Sequence, residues 1–205
     1  MKMARLAVAC LALMVAACSG PPPPETPDSA RLQESLDAAR EYGVSDAQLE
    51  ILERAVARGE VTLGDLREAI DNTLACFEQH GIWHSSQQHN TFMGHEQLTY
   101  SYGAPPGYDD DDPTWLALAD ACVANNSSFV EMLYQTLPSV ALHQEQWFVD
   151  NLRDDVSECL ARYGVTAPAG ADSAWYWRAV TELSQPESGA IEECDGLMVT
   201  GAYSA

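Results

Sequence analysis

Apolar residues recur every three or four places along most of this chain, the spacing that gathers them on one face of an α-helix. Leu32, Leu36 and Ala39 line a first helix that ends near Gly43. Ser45-Asp46-Ala47-Gln48 reads as a capping box, in which the Ser and Gln side chains each satisfy the other's backbone N–H. It opens a helix with Leu49, Leu52 and Val56 on the buried face, stopped by Gly59. Thr62 and Asp65 cap a third helix, whose stripe is Leu63, Leu66, Ile70, Leu74 and Phe77.

Between Trp83 and Asp112 the helical period is lost. Thr91-Phe92-Met93 and the alternating Leu98-Thr99-Tyr100-Ser101-Tyr102 flank Gly94-His95, which predicts one short β-hairpin. Helix resumes at Asp112-Pro113, with Pro at the first helical position, where its missing N–H matters least. Trp115, Ala119, Cys122, Phe129 and Leu133 follow, with a bend at Asn125-Asn126. Beyond Pro138 one long helix carries Phe148, Leu152, Val156, Cys159 and Leu160. Asp172 caps the next, in which Trp175, Ala179 and Leu183 form the buried stripe, and a short helix reaches Cys194. The fold class is therefore mainly α.

An internal echo adds to this. Ala38-Ala39-Arg40-Glu41-Tyr42-Gly43-Val44 aligns with Cys76-Phe77-Glu78-Gln79-His80-Gly81-Ile82 and with Cys159-Leu160-Ala161-Arg162-Tyr163-Gly164-Val165. Each is the signature of a helix C-terminus. Gly takes the left-handed conformation past the last turn, and the branched residue after it folds back on the helix. Contacts Ala39–Val44, Phe77–Ile82 and Leu160–Val165 are expected.

The first twenty residues are different. Lys2 and Arg5 precede an apolar run from Leu6 to Ala17, too short to span a bilayer, which needs about 20 residues. Residues 1–17 are read as a signal peptide. The run closes on Val15-Ala16-Ala17-Cys18, which resembles the bacterial lipobox, whose cysteine takes a diacylglycerol thioether and becomes the first mature residue. Residues 18–28, rich in Pro21 to Pro24, then form a stiff spacer, and residues 29–205 a single helical extracytoplasmic domain.

Cysteine parity fits lipidation of Cys18. Of six cysteines, Cys10 leaves with the signal peptide. With Cys18 acylated, Cys76, Cys122, Cys159 and Cys194 remain, an even number that reads as two disulfides outside the cytoplasm. Three pairings are open. If the two cysteine-bearing copies each hold their own bridge, the pairs are Cys76–Cys122 and Cys159–Cys194.

Charge removes some functions from consideration. Loss of residues 1–17 takes away both Lys2 and Arg5, leaving 8 basic residues, all Arg, against 31 acidic ones, a formal charge of −23. Nucleic-acid binding needs a basic footprint, and there is none. Attachment to an anionic lipid surface must likewise come from acyl chains rather than from charge.

The lipobox, the Pro-rich spacer, the Lys-poor acidic composition and the repeated helix-Cys-x4-Gly-[Ile/Val] endings together resemble uncharacterised lipoproteins of high-GC Gram-positive bacteria. That resemblance implies a surface location and a small disulfide-stapled helical domain. It brings no agreed activity and no catalytic residues.

Candidate chemistry is sparse. His80, His84, His89 and His95 fall within sixteen residues, with Met93 among them. Imidazole and thioether suit copper or zinc, so His84, His89, Met93 and His95 form the alternative ligand set. No metal is the first expectation, because spacings of four to six residues across a loop match no compact site, and His80 occupies the slot that Tyr42 and Tyr163 fill in the other copies. Asp109 to Asp112 is not an EF-hand, since Thr114 and Asp120 stand where Gly and Glu are required. Trp175-Tyr176-Trp177, with Trp83 and Trp115, reads chiefly as core, leaving Tyr176 or Trp177 for contacts. Gly-x-Ser-x-Gly, His-Glu-x-x-His and phosphate-binding loops do not occur, so no enzyme activity and no cofactor are expected. The expectation is a membrane-anchored interaction protein whose partners are the lipid anchor and an envelope protein or cell-wall component.

Overall fold

The computed structural model describes residues 26–109, 111–183 and 191–203. Cys18, the expected signal peptide and the expected spacer up to residue 25 lie outside them. Helix α1 (Pro27–Tyr42) opens within the expected spacer, because Thr26 and Ser29 form a reciprocal capping box with Pro at the first helical position. Next come α2 (Asp46–Arg58), α3 (Leu63–His80), a hairpin region, α4 (Pro113–Asn126), α5 (Ser128–Thr136), α6 (Pro138–Asn151), α7 (Arg153–Arg162), α8 (Ser173–Leu183) and α9 (Ile191–Ala202). The mainly helical reading holds.

All three echoed helix ends close as expected. Gly43, Gly81 and Gly164 take φ of 80°, 68° and 78°. The N–H of Val44 donates to Ala39 O (3.3 Å), that of Ile82 to Phe77 O (3.0 Å) and that of Val165 to Leu160 O (3.1 Å). These are the six-to-one bonds of the Schellman motif. Helix α2 ends the same way at Gly59, with Glu60 N–H on Ala55 O (3.2 Å), but lacks the branched residue that marks the other copies.

Some helices are turned or broken relative to the sequence reading. In α2 the buried face is Gln48, Ile51, Leu52 and Ala55, with Leu49 and Val56 only partly covered. Ser45 caps Gln48 N–H, but the Gln48 side chain does not complete the box. It points inward, fully buried, to α4 and α5. The expected bend is a break at Ser127, which is buried and accepts from Thr73 Oγ1 at 2.8 Å. The long helix beyond Pro138 is two helices, α6 and α7, interrupted at Leu152. Gly201 of α9 lies against that break so closely that an added Cβ would meet Leu152 Cδ2 at 2.4 Å.

Strands β2 (Gln88–Phe92) and β3 (His95–Thr99) pair antiparallel through a Met93-Gly94 turn, both residues at positive φ (49° and 72°). This is the two-residue hairpin turn whose twist matches the strands. A second ladder at the base pairs β1 (Trp83–His84) with β4 (Tyr102–Gly103). From Trp83↔Gly103 to Gln88↔Thr99 one arm takes five steps and the other four, so a bulge separates the ladders.

Buried side chains form two clusters. One is built from α1 to α5 and includes Leu98, and the other contains Met93, Phe148, Val156, Leu160, Tyr176 and Met198. The hairpin joins them, with Leu98 in the first and its turn residue Met93 in the second. Each cluster has a bridge, Cys76–Cys122 in the first and Cys159–Cys194 in the second, closing sequence separations of 46 and 35 residues. Chain entropy alone makes each worth about 4 kcal/mol, a large part of the roughly 5–15 kcal/mol typical of a domain.

Candidate functional site

The histidine-rich segment is distributed by the alternation of strands and by the end of α3. His80 is the last residue of α3 and is exposed. His84, on β1, turns toward α3. Its ring lies 6.2 Å from that of Phe77, and its Nε2 is 3.7 Å from Glu78 Oε1. His89 stands exposed on β2 with Nε2 3.1 Å from Glu96 Oε1.

His89 pairs with Leu98, whereas His95 pairs with Phe92, three places along the same strand. An odd separation puts the two imidazoles on opposite faces of the hairpin. Met93 is buried at the turn, its N–H donating to Ala202 O at 2.8 Å. The structure therefore does not bring His84, His89, Met93 and His95 together.

His95 is instead packed against α5, its ring 4.6 Å from Tyr134 and its Nε2 3.2 Å from Tyr134 O. Burial holds its pKa below the ordinary 6.5, and nearby His143 adds to that, against the opposing pull of the Tyr134 carbonyl and Glu96. His143, on α6, places Nε2 3.1 Å from Gly94 O. Sequence reasoning passed over it, because nothing at position 143 signals that α6 lies beside the hairpin turn.

A different constellation does converge. His80 follows Cys76 by four residues, one helical turn, and so shares its face of α3. Cys122 comes from α4, packed against α3. One ring nitrogen of His80 and the two sulfurs all lie within 4.8 Å of one another. Among the described residues this is the one group of three or more His, Cys, Asp or Glu side chains with that geometry. In the Cys159–Cys194 copy the corresponding slot holds Tyr163, whose hydroxyl donates to Glu193 Oε2 at 3.2 Å. In the first copy it holds Tyr42, with its ring 6.3 Å from Phe129.

The aromatic trio also differs from expectation. Tyr176 is the buried member of α8, with Ala179 and Val180, and Trp175 and Trp177 are half-buried beside the second cluster. Tyr176 packs on Phe148 and shares a 2.8 Å hydrogen bond with Ser157 Oγ. Ser157 also donates to Arg153 O at 2.7 Å, so its hydroxyl has no activating base among these partners. Trp115 is buried and donates Nε1–H to Asp109 O at 2.9 Å. Asp112 caps α4 by accepting from Thr114 N–H at 2.7 Å, which accounts for its part in the acidic run.

Trp83 is the large exposed aromatic of this region, 58% accessible, with its indole over Gly103. It stands on the face of the hairpin base opposite Tyr102, which packs on Phe77 at 4.9 Å. No helix among the described residues is long and apolar enough to cross a membrane. The chain matches no family model, no curated protein and no solved structure.

Proposed function

We propose that this is a lipid-anchored extracytoplasmic protein whose helical domain binds an envelope protein or a cell-wall component without transforming it. The observation that carries the reading is the cysteine arithmetic. The two bridges use Cys76, Cys122, Cys159 and Cys194, and with Cys10 removed in the leader this leaves Cys18 as the cysteine for a lipid. The resemblance to lipoproteins of high-GC Gram-positive bacteria points the same way. An anchor of two or more acyl chains gives stable attachment, as a single chain does not.

Trp83 is the contact we assign to the partner, since a rigid, exposed indole contributes large area at low entropic cost. Affinity capture from envelope extracts is the test. A discrete partner retained by the wild type and lost with Trp83→Ala supports the reading. Recovery of the same material by both proteins, or of nothing specific, goes against it. The second reading, metal capture, has no support from the dispersed hairpin histidines, and only the Cys76–His80–Cys122 convergence favours a metal in this region.

A further inference from the structure

We propose that Cys76, Cys122 and His80 form a redox-gated site for a thiophilic d10 cation, closed while the bridge stands and open once it is reduced. Two thiolates and an imidazole are the donor set such ions prefer, and three protein ligands leave a fourth position for water. Once the bond between the two sulfurs is broken, they need only part enough to share an ion with the nearby imidazole. The Cys76 and His80 side chains are held one turn apart on α3, and Cys122 is presented by α4, with the three donor atoms already within 4.8 Å of one another.

His80 is not required by the architecture of a bridged helix end, because Tyr163 fills that slot beside Cys159–Cys194. The imidazole is thus an addition specific to the first bridge. The formal charge, −21 for the full chain and −23 without residues 1–17, further favours a cation over an anion.

Opening follows ordinary thiol exchange. A thiolate of an external monothiol attacks the sulfur of Cys76, the partly exposed residue of the pair, Cys122 being buried. The Cys76–Cys122 bond breaks, its electron pair leaves on Cys122 Sγ, and that sulfur takes a proton from water. A second thiol then displaces Cys76 from the mixed disulfide. The protein gains two electrons and two protons, and the two thiols leave as one disulfide. Binding Zn²⁺ expels the two cysteine protons and recruits a ring nitrogen of His80.

Linkage supplies the test, because a ligand that binds the dithiol form alone must pull the bridge open. The full chain in detergent is equilibrated in a glutathione redox buffer with and without micromolar free Zn²⁺. Thiols are then trapped by alkylation, and each bridge is read by mass spectrometry. Zinc is expected to raise the thiol-to-disulfide ratio of Cys76–Cys122 at least tenfold and that of Cys159–Cys194 less than twofold. His80→Tyr, which installs the residue of the other copy, is expected to bring the first effect below twofold. No zinc effect, an equal effect at both bridges, or an effect that survives His80→Tyr overturns the proposal. The equal effect is also the signature of zinc bound by an unfolded reduced chain, so loss of the fold counts against the site rather than for it.

Discussion

The side-chain carbonyl of Gln48 accepts the backbone N–H of Phe129 at 2.9 Å, across 81 residues of sequence. Its amide donates to Ala124 O at 3.1 Å, so one fully buried side chain serves both sides of the break between α4 and α5. The break frees backbone groups that no helix ladder satisfies, and burial without a partner costs about 1–3 kcal/mol per group. Gln48→Leu keeps the volume and strands the Phe129 N–H, while Ala124 O keeps the Ser128 hydroxyl as a donor at 3.1 Å. It is expected to lower stability by about 1–3 kcal/mol, read from the denaturant midpoint. An unchanged midpoint would show that water replaces the amide.

Gly94 and Gly43 separate two reasons for a glycine. Both have positive φ, but nothing lies within 4 Å of a Cβ at Gly43, whereas a Cβ at Gly94 meets Trp147 Cδ1 at 2.4 Å. Gly43→Ala is expected to cost only the left-handed backbone penalty, about 1–2 kcal/mol. Gly94→Ala adds overpacking, for a total of about 2–5 kcal/mol. A shift in tryptophan emission should accompany the second substitution and not the first. Equal losses in thermal melts would place the Trp147 contact in doubt.

Replacing either bridge by a pair of serines should lower stability by about 4 kcal/mol. Peptide mapping without reduction should find Cys76 with Cys122 and Cys159 with Cys194. Mixed pairing would contradict the two-cluster core.

His95 makes stability depend on pH. Its folded pKa lies below the ordinary 6.5, chiefly through burial, so the unfolded chain binds the proton more readily. Stability should therefore fall as pH drops through about 6.5 and level off below the folded pKa, whereas above 6.5 this residue contributes no slope. Urea midpoints of the wild type and His95→Gln between pH 7.5 and 5 measure it. The wild type should lose more across that range, and parallel profiles would remove His95 as the cause.

Cys18→Ala tests the anchor. The wild type should partition with membranes and incorporate labelled acyl chains, and the variant should do neither. Equal partitioning of the two proteins would refute lipidation.

The elements legible in the sequence were those specified by neighbours. The ends at Gly43, Gly81 and Gly164 depend on one glycine and the branched residue beside it, and all three closed through the pairs expected. The caps at Thr62 and Asp112 were equally local. The face of α2 was misjudged because Gln48 is polar, and only the broken backbone at Ser127 gives a buried amide its partners. The interruption at Leu152 was hidden for a similar reason, since no Pro or Gly marks it and its close neighbour Gly201 lies 49 residues away.

The candidate site divides along the same line. Clustering of His80, His84, His89 and His95 is a fact of sequence, yet strand alternation sends His89 and His95 to opposite faces. Sequence by itself determined the helical class, the glycine-closed ends and the cysteine count, because each depends on residues within a turn or two or on a count. Spacing already sets His80 one turn from Cys76, whereas tertiary structure decided which of the three pairings brings Cys122 to them and that the other histidines turn elsewhere. A ligand set is a matter of distances between elements, and those are fixed by how α3 and α4 pack, which no local pattern encodes.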